Sequence, residues 1–194
     1  MATYSDDFNR TDSADLGADW DSGYTGINNL QIVSNMARAG VAGVCIESVN
    51  AISPGARQFA SVVMPTLSLN EGGVILRAAA PTTVTMYVFT SNNFGTNDSV
   101  IAKFIAGVYT NISVSSTETW ANNDTIRGEA VFSKQFCYHN GTKVLTGSDA
   151  TITASGRVGI ITNSVVIGNF EFDDFLGGDI ERKLSLNPHM FGWW

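Results

Sequence analysis

The sequence predicts one all-β domain, an antiparallel sandwich or barrel. Three observations carry that prediction. About a dozen short runs are rich in β-branched and aromatic residues and bounded by Gly, Pro, Asn or Asp. Nowhere does an i, i+3, i+4 apolar spacing persist for the length of a helix. Only 15% of the residues are charged, below the usual ~25%, while Gly, Thr, Ser and Asn are plentiful, as turns between strands require. At 194 residues the chain fits a single domain, large enough to bury a core without disulfide or metal staples.

The elements follow in order. Thr3 to Phe8 reads as a first strand, and Asp12, Ser13, Asp15 and Gly17 form an ordered polar loop before Trp20. Leu30–Val33 and Met36–Ala39 flank Ser34-Asn35 as a hairpin. The stretch Val41–Ile46 fits either a strand or part of a longer connection. Strands are then expected at Gln58–Met64, Val74–Ala78, Val84–Phe89, Val100–Ile105, Asn111–Ser115, Asp124–Phe132, Gln135–His139 and Lys143–Leu145. Asn140-Gly141 is the sharpest turn signal, because both residues tolerate positive φ. Gly156 to Phe175 reads as two strands joined by a turn at Thr162-Asn163-Ser164. Its closing Asp173-Asp174-Phe175 repeats Asp6-Asp7-Phe8, so the first and last strands are expected side by side.

Charge and composition narrow the function classes. A net charge of −7 argues against a nucleic-acid partner, which calls for clustered Lys and Arg. No basic-then-apolar leader opens the chain, and no apolar run is long enough to span a membrane. Cys45 and Cys137 either pair or remain free thiols that pack as small hydrophobes.

With these residues placed, the chain resembles the concanavalin A-like lectin/glucanase superfamily in its laminin-G-like modules. The resemblance rests on Asp6-Asp7-Phe8-Asn9-Arg10, Leu16-Gly17, Trp20 and Asn28-Asn29-Leu30, followed by Gly73–Ala78, Ile101–Phe104 and Asp124–Arg127. It continues through Tyr138–Gly141 and Ser155–Ile160 to Phe172–Phe175. It implies a two-sheet antiparallel jelly-roll β-sandwich over residues 1–176, whose concave face or loop rim often binds glycans. Residues 177–194 then form a tail that docks on the sandwich or on a partner, with Phe191, Trp193 and Trp194 as aromatic anchors.

Three constellations stand out. The first is catalytic. Glu171-Phe172-Asp173 begins the Glu-x-Asp-x-x-Glu pattern of the catalytic relatives, but Phe175 and Leu176 stand where its closing carboxylate belongs. No Gly-x-Ser-x-Gly elbow and no phosphate-binding glycine loop occurs, so a non-enzyme is expected. The second is a structural calcium site: with the terminal strands adjacent, Asp7 and Asp173 would face each other, and a cation would relieve their repulsion. The third is a stripe of Arg77, Tyr87, Lys103 and Arg127, each mid-strand, which would line a sheet face and hold a glycan. The resemblance and the missing leader lead to the expectation of a non-catalytic virion component, a head-decoration or tail-associated protein that assembles with other subunits or with itself. The alternative is a glycan-binding module of a bacterial surface protein, and a glycoside hydrolase ranks behind both.

Overall fold

The computed structural model describes residues 2–67, 71–81, 83–91, 98–115, 117–164 and 170–181. Among these residues fifteen strands form two antiparallel sheets packed face to face, which is a jelly-roll β-sandwich. Among the described residues there is no helix, and hence none long and apolar enough to cross a membrane.

The eight-stranded sheet comprises β1 (Thr3–Asp6), β3 (Leu30–Val33), β4 (Met36–Ala39), β6 (Arg57–Met64), β11 (Asp124–Val131), β12 (Lys134–His139), β13 (Thr142–Ser148) and β15 (Glu171–Asp179). Its order is β13-β12-β11-β6-β15-β4-β3, with β1 also on β15. The terminal strands are therefore neighbours, and Asp6 stands opposite Phe175. The seven-stranded sheet comprises β2 (Trp20–Asp21), β5 (Gly43–Val49), β7 (Glu71–Ala78), β8 (Met86–Ser91), β9 (Ser99–Ile105), β10 (Val108–Ser115) and β14 (Arg157–Ser164). Its order is β10-β9-β8-β7-β14-β5-β2.

The turn chemistry explains the local register. Ser34 and Asn35 both have positive φ, as do Asn140 and Gly141, so each pair closes a tight hairpin between paired strands. The ambiguous stretch after Gly40 resolves into β5. The expected turn at Thr162–Ser164 does not form, because those residues continue β14 and pair with Cys45, Val44 and Gly43. Consequently β14 and β15 are not a hairpin: they belong to opposite sheets. Strand β15 also runs through Gly177 and Gly178 to Asp179, past the boundary expected at residue 176. The rest of the expected tail, including Phe191, Trp193 and Trp194, lies outside the described residues.

The main core lies between the sheets and includes Phe8, Trp20, Phe89, Phe170, Phe172 and Phe175. Gly128 is required there, since a Cβ would come 2.6 Å from the Phe89 ring. Both cysteines are buried and unpaired, and burial pushes the Cys45 thiol up to about 11 and Cys137 to about 12, so both stay protonated and inert. A second apolar cluster lies on the outward side of the seven-stranded sheet. It contains Ile46, Ile75, Val88, Val100, Ala102 and Ile161, the residues that alternate with the inward-facing ones.

Candidate functional site

That outward cluster floors a pocket of about 290 Å³. Four adjacent strands supply most of its lining: Ile161 and Asn163 from β14, Glu71 from β7, Val88 and Thr90 from β8, and Phe104 from β9. Val44 of β5 and Tyr109 of β10 complete the lining. Registration explains the grouping, because Asn163 stands opposite both Glu71 and Val44, and Tyr109 stands opposite Phe104. The Tyr109 and Phe104 rings meet edge to face, centroids 5.2 Å apart, and Tyr109 remains 40% exposed.

Glu71 is the charged group at this pocket. Burial raises its pKa, while hydrogen bonds from the Thr90 and Asn163 side chains hold it down. The Thr90 hydroxyl donates to Glu71 Oε1 at 2.9 Å. The result is a half-enclosed apolar cup with the Glu71 carboxyl, the Thr90 hydroxyl and the Asn163 amide on its wall and the Phe104–Tyr109 pair beside them. Such a cup can stack the apolar face of a ring and exchange hydrogen bonds with its edge.

The four residues of the expected stripe do not meet on one face. Arg77 is 2% exposed and lies inside the sandwich. It donates from Nη1 to the Ile152 carbonyl at 2.5 Å and from Nη2 to the Ala56 carbonyl at 2.6 Å. A bulge sends it there: the register against β14 shifts between Arg157 and Gly159, and Arg77 takes φ of +52°. Strict alternation, which would have turned Arg77 outward, therefore fails at this residue. Tyr87 and Lys103 face inward as well, and both bind Asp149. The Tyr87 hydroxyl lies 2.8 Å from Asp149 Oδ1, and Lys103 Nζ lies 2.5 Å from Oδ2. These contacts hold Asp149 well below the ordinary carboxylate range, at about 2, against the opposing effect of burial. The three residues thus pin the connection from Asp149 to Gly156 onto the sheet.

Arg127 is on the opposite sheet and faces solvent. Its guanidinium pairs with Glu129 at 2.8 Å and sits 4.0 Å from the Phe59 ring centroid.

The acidic end behaves differently. Asp7, Asn9, Asn35, Asp173 and Asp174 line a shallow cavity of about 240 Å³. Burial raises the pKa of Asp173, and the charges of Asp174, Asp7 and Asp6 add to that rise. Asp7 and Asp173 are therefore close enough to influence each other. Among the described residues, however, no group of three or more His, Cys, Asp or Glu is arranged to hold a metal ion. Asp6 is committed elsewhere: it accepts hydrogen bonds from Arg10, the Trp20 indole and the Phe8 amide, which hold its carboxyl low despite burial. Glu171 is also engaged, accepting from the Thr66 hydroxyl at 2.6 Å.

Solved structures of matching shape share little sequence with the chain. A protein of unknown function with a galectin-like fold from Bacillus subtilis superposes with a TM-score of 0.68 at 9% identity, covering 92% of this chain and 96% of that one. The carbohydrate binding module CBM66 from Bacillus subtilis gives 0.64 at 12% identity, covering 84% and 93%. A Bacillus licheniformis beta-glucanase gives 0.62 at 10% identity, covering 93% and 99%. The chain has the concanavalin A-like fold. No family model and no curated protein matches the sequence. Because the concanavalin A-like fold is common to a binding module and to a glucanase, the function has to be argued from the site.

The sequence reading missed Glu71, Thr90, Phe104, Tyr109 and Asn163. One local signal was present: Glu71 opens a strand that is otherwise almost wholly apolar, Glu-Gly-Gly-Val-Ile-Leu. Its partners Thr90 and Asn163 are distant in sequence and meet it only through sheet order.

Proposed function

We propose that the chain is a non-catalytic glycan-binding module whose sugar site is the pocket on the seven-stranded sheet. The observation that carries this reading is the meeting of Glu71, Thr90 and Asn163 with the Phe104–Tyr109 pair in one cup. At about 290 Å³ the cup sits near the lower end of ordinary ligand pockets, roughly 300 Å³, which suits one sugar unit or the end of a chain. A neutral sugar fits best, since the described lining offers no cation to pair with a carboxylate. The likeness of fold to a carbohydrate binding module is consistent with this reading.

The absence of a second acid supports the non-catalytic part. Glycoside hydrolysis ordinarily uses two carboxylates about 5–10 Å apart across the bond. The described lining of the pocket offers Glu71 alone. Segments 68–70, 92–97, 165–169 and 182–194 contain no Asp or Glu that could supply the other. Attachment to a bacterial surface or within a virion would be the setting for such a module. The virion reading leans on Phe191, Trp193 and Trp194, which lie outside the described residues.

A neutral-glycan array followed by calorimetry tests the proposal. We expect a hit that Tyr109→Ala and Glu71→Gln each weaken by about tenfold, the cost of one lost stacking or hydrogen-bonding contact. An array without hits, or a hit that neither variant alters, overturns the pocket as the sugar site.

A further inference from the structure

The solvent face of the eight-stranded sheet carries an arrangement that the pocket does not use. Two rungs of outward side chains cross four strands, β6, β11, β12 and β13. One rung is Ser61, Arg127, Tyr138 and Lys143, and the other is Phe59, Glu129, Phe136 and Thr146. With strands about 4.8 Å apart, each rung spans roughly 14 Å. The rungs place rings and cations side by side. Arg127 lies 4.0 Å from the Phe59 centroid, and Lys143 Nζ lies 5.4 Å from that of Phe136. Beyond the rungs, Arg57 lies 5.9 Å from the Phe132 ring, which is 58% exposed. Such contacts orient the cations over the rings without neutralising them.

The charge balance of this face opposes that of the molecule. Arg57, Arg127, Lys134 and Lys143 face outward from these strands against Glu129 alone, on a chain whose net charge is −7. Glu129 is occupied by Arg127 and by the Tyr138 hydroxyl, which donates to it at 3.1 Å. Among the described residues no carboxylate pairs with Arg57, Lys134 or Lys143.

We infer that this face is a second, separate binding surface, for a polysaccharide carrying carboxylates. Phe59 is buried beneath Arg127, but Phe132, Phe136 and Tyr138 offer apolar contact to sugar faces, and the cations sit beside them where uronate carboxylates would fall. A surface of two rungs across four strands, without a deep anchor pocket, matches an extended polymer better than a single residue or a protein hot spot. The inference does not depend on the pocket of the opposite sheet.

Affinity electrophoresis of the full chain in gels containing polygalacturonate tests it, with carboxyl-reduced polygalacturonate and dextran sulfate as controls. Polygalacturonate should retard the protein and the carboxyl-reduced polymer should not. The Arg127→Gln, Lys143→Gln double variant should weaken retention about tenfold or more, the loss expected for charge-assisted contacts, with the melting temperature lowered by about 4 °C or less. If the double variant melts early, Lys143→Gln alone should still weaken retention, because that side chain is exposed. Tyr109→Ala should leave retention intact, which separates this surface from the pocket. No retardation by polygalacturonate, equal retardation by the carboxyl-reduced polymer, retardation by dextran sulfate at least as strong, or a folded double variant that binds normally would each overturn the inference.

Discussion

The two sheets share one core and differ in what they turn away from it. On the seven-stranded sheet the outward residues Ile46, Ile75, Val88, Val100 and Ala102 are each no more than 1% exposed. On the eight-stranded sheet the same positions of the alternation hold Arg127, Glu129, Phe136 and Tyr138, all partly exposed. The two sheets' charged groups are placed differently. On the seven-stranded sheet Arg77, Tyr87, Lys103 and Glu47 are drawn into the sandwich and fixed by protein partners, while Glu71, Thr90 and Asn163 line the outward pocket. On the other sheet Gln58 and Gln135 are buried inside, whereas Arg127, Glu129 and Tyr138 pair with one another on the solvent side. Apart from Glu71, Thr90 and Asn163 at the pocket, the outward cluster of the seven-stranded sheet is apolar, and Arg77, Tyr87, Lys103 and Glu47 find their partners inside the molecule.

The largest test of this contrast is Arg77. Replacing it by Ala removes a buried side chain and leaves the Ile152 and Ala56 carbonyls without their donor. We expect a loss of about 3–5 kcal/mol in urea unfolding, from the cavity and the unmade hydrogen bonds together. A loss below about 1 kcal/mol, the range of surface contacts, would mean that the interior of this sheet is wet and that the contrast is false.

Glu47 gives the next effect, and it has a pH signature. Its side chain is buried, accepts from the Leu30 amide at 2.9 Å, and is pushed by burial from 4.5 up to about 8. The folded protein therefore holds this proton between about pH 4.5 and 8 while the unfolded chain has released it. Because the folded state binds more protons there, stability falls as pH rises through that window. The neutral Gln of Glu47→Gln keeps the acceptor and removes the titration. The variant should gain roughly 3–5 kcal/mol over the wild type at pH 9 and little at pH 4, read from denaturant melts at both values. Parallel pH profiles for the two proteins would show that Glu47 is solvated.

How much of this was legible in the sequence depends on whether the determinant is local. The hairpins at Ser34-Asn35 and Asn140-Gly141 were, because positive φ is a property of the residues in the turn. The pairing of β1 with β15 was signalled by the repeated Asp-Asp-Phe. Arg77 was not, because period-2 reasoning assumes an unbroken ladder and a single bulge reverses the side of the residue it holds. The polar run at Thr162–Ser164 looked like a turn, yet the Thr162 hydroxyl donates to the Glu71 carbonyl and Asn163 joins Glu71 at the pocket, so these residues are strand with buried partners. The pocket itself was invisible, since five of its strands come together only through an order, β9-β8-β7-β14-β5, that no single stretch encodes. Of the expected glycan stripe, Arg127 alone stands on a solvent face.

Arg127 therefore supplies the smallest stability effect and the sharpest side of the comparison. Its ion pair with Glu129 is short at 2.8 Å, but both side chains keep contact with water, at 31% and 18% exposure. Exposed pairs contribute little, because solvent screens the attraction and ordering two long side chains costs entropy. The contact with Phe59 adds a cation–π term of the same small order, about 0.5–1 kcal/mol. Arg127→Ala should thus cost about 1 kcal/mol or less in urea unfolding, several times less than Arg77→Ala. The same arginine type, mid-strand in both sheets, would then differ in effect only because one sheet turns it inward and the other leaves it in solvent. A loss for Arg127→Ala as large as that for Arg77→Ala would show that something covers the eight-stranded sheet, and would take the face away from any soluble ligand.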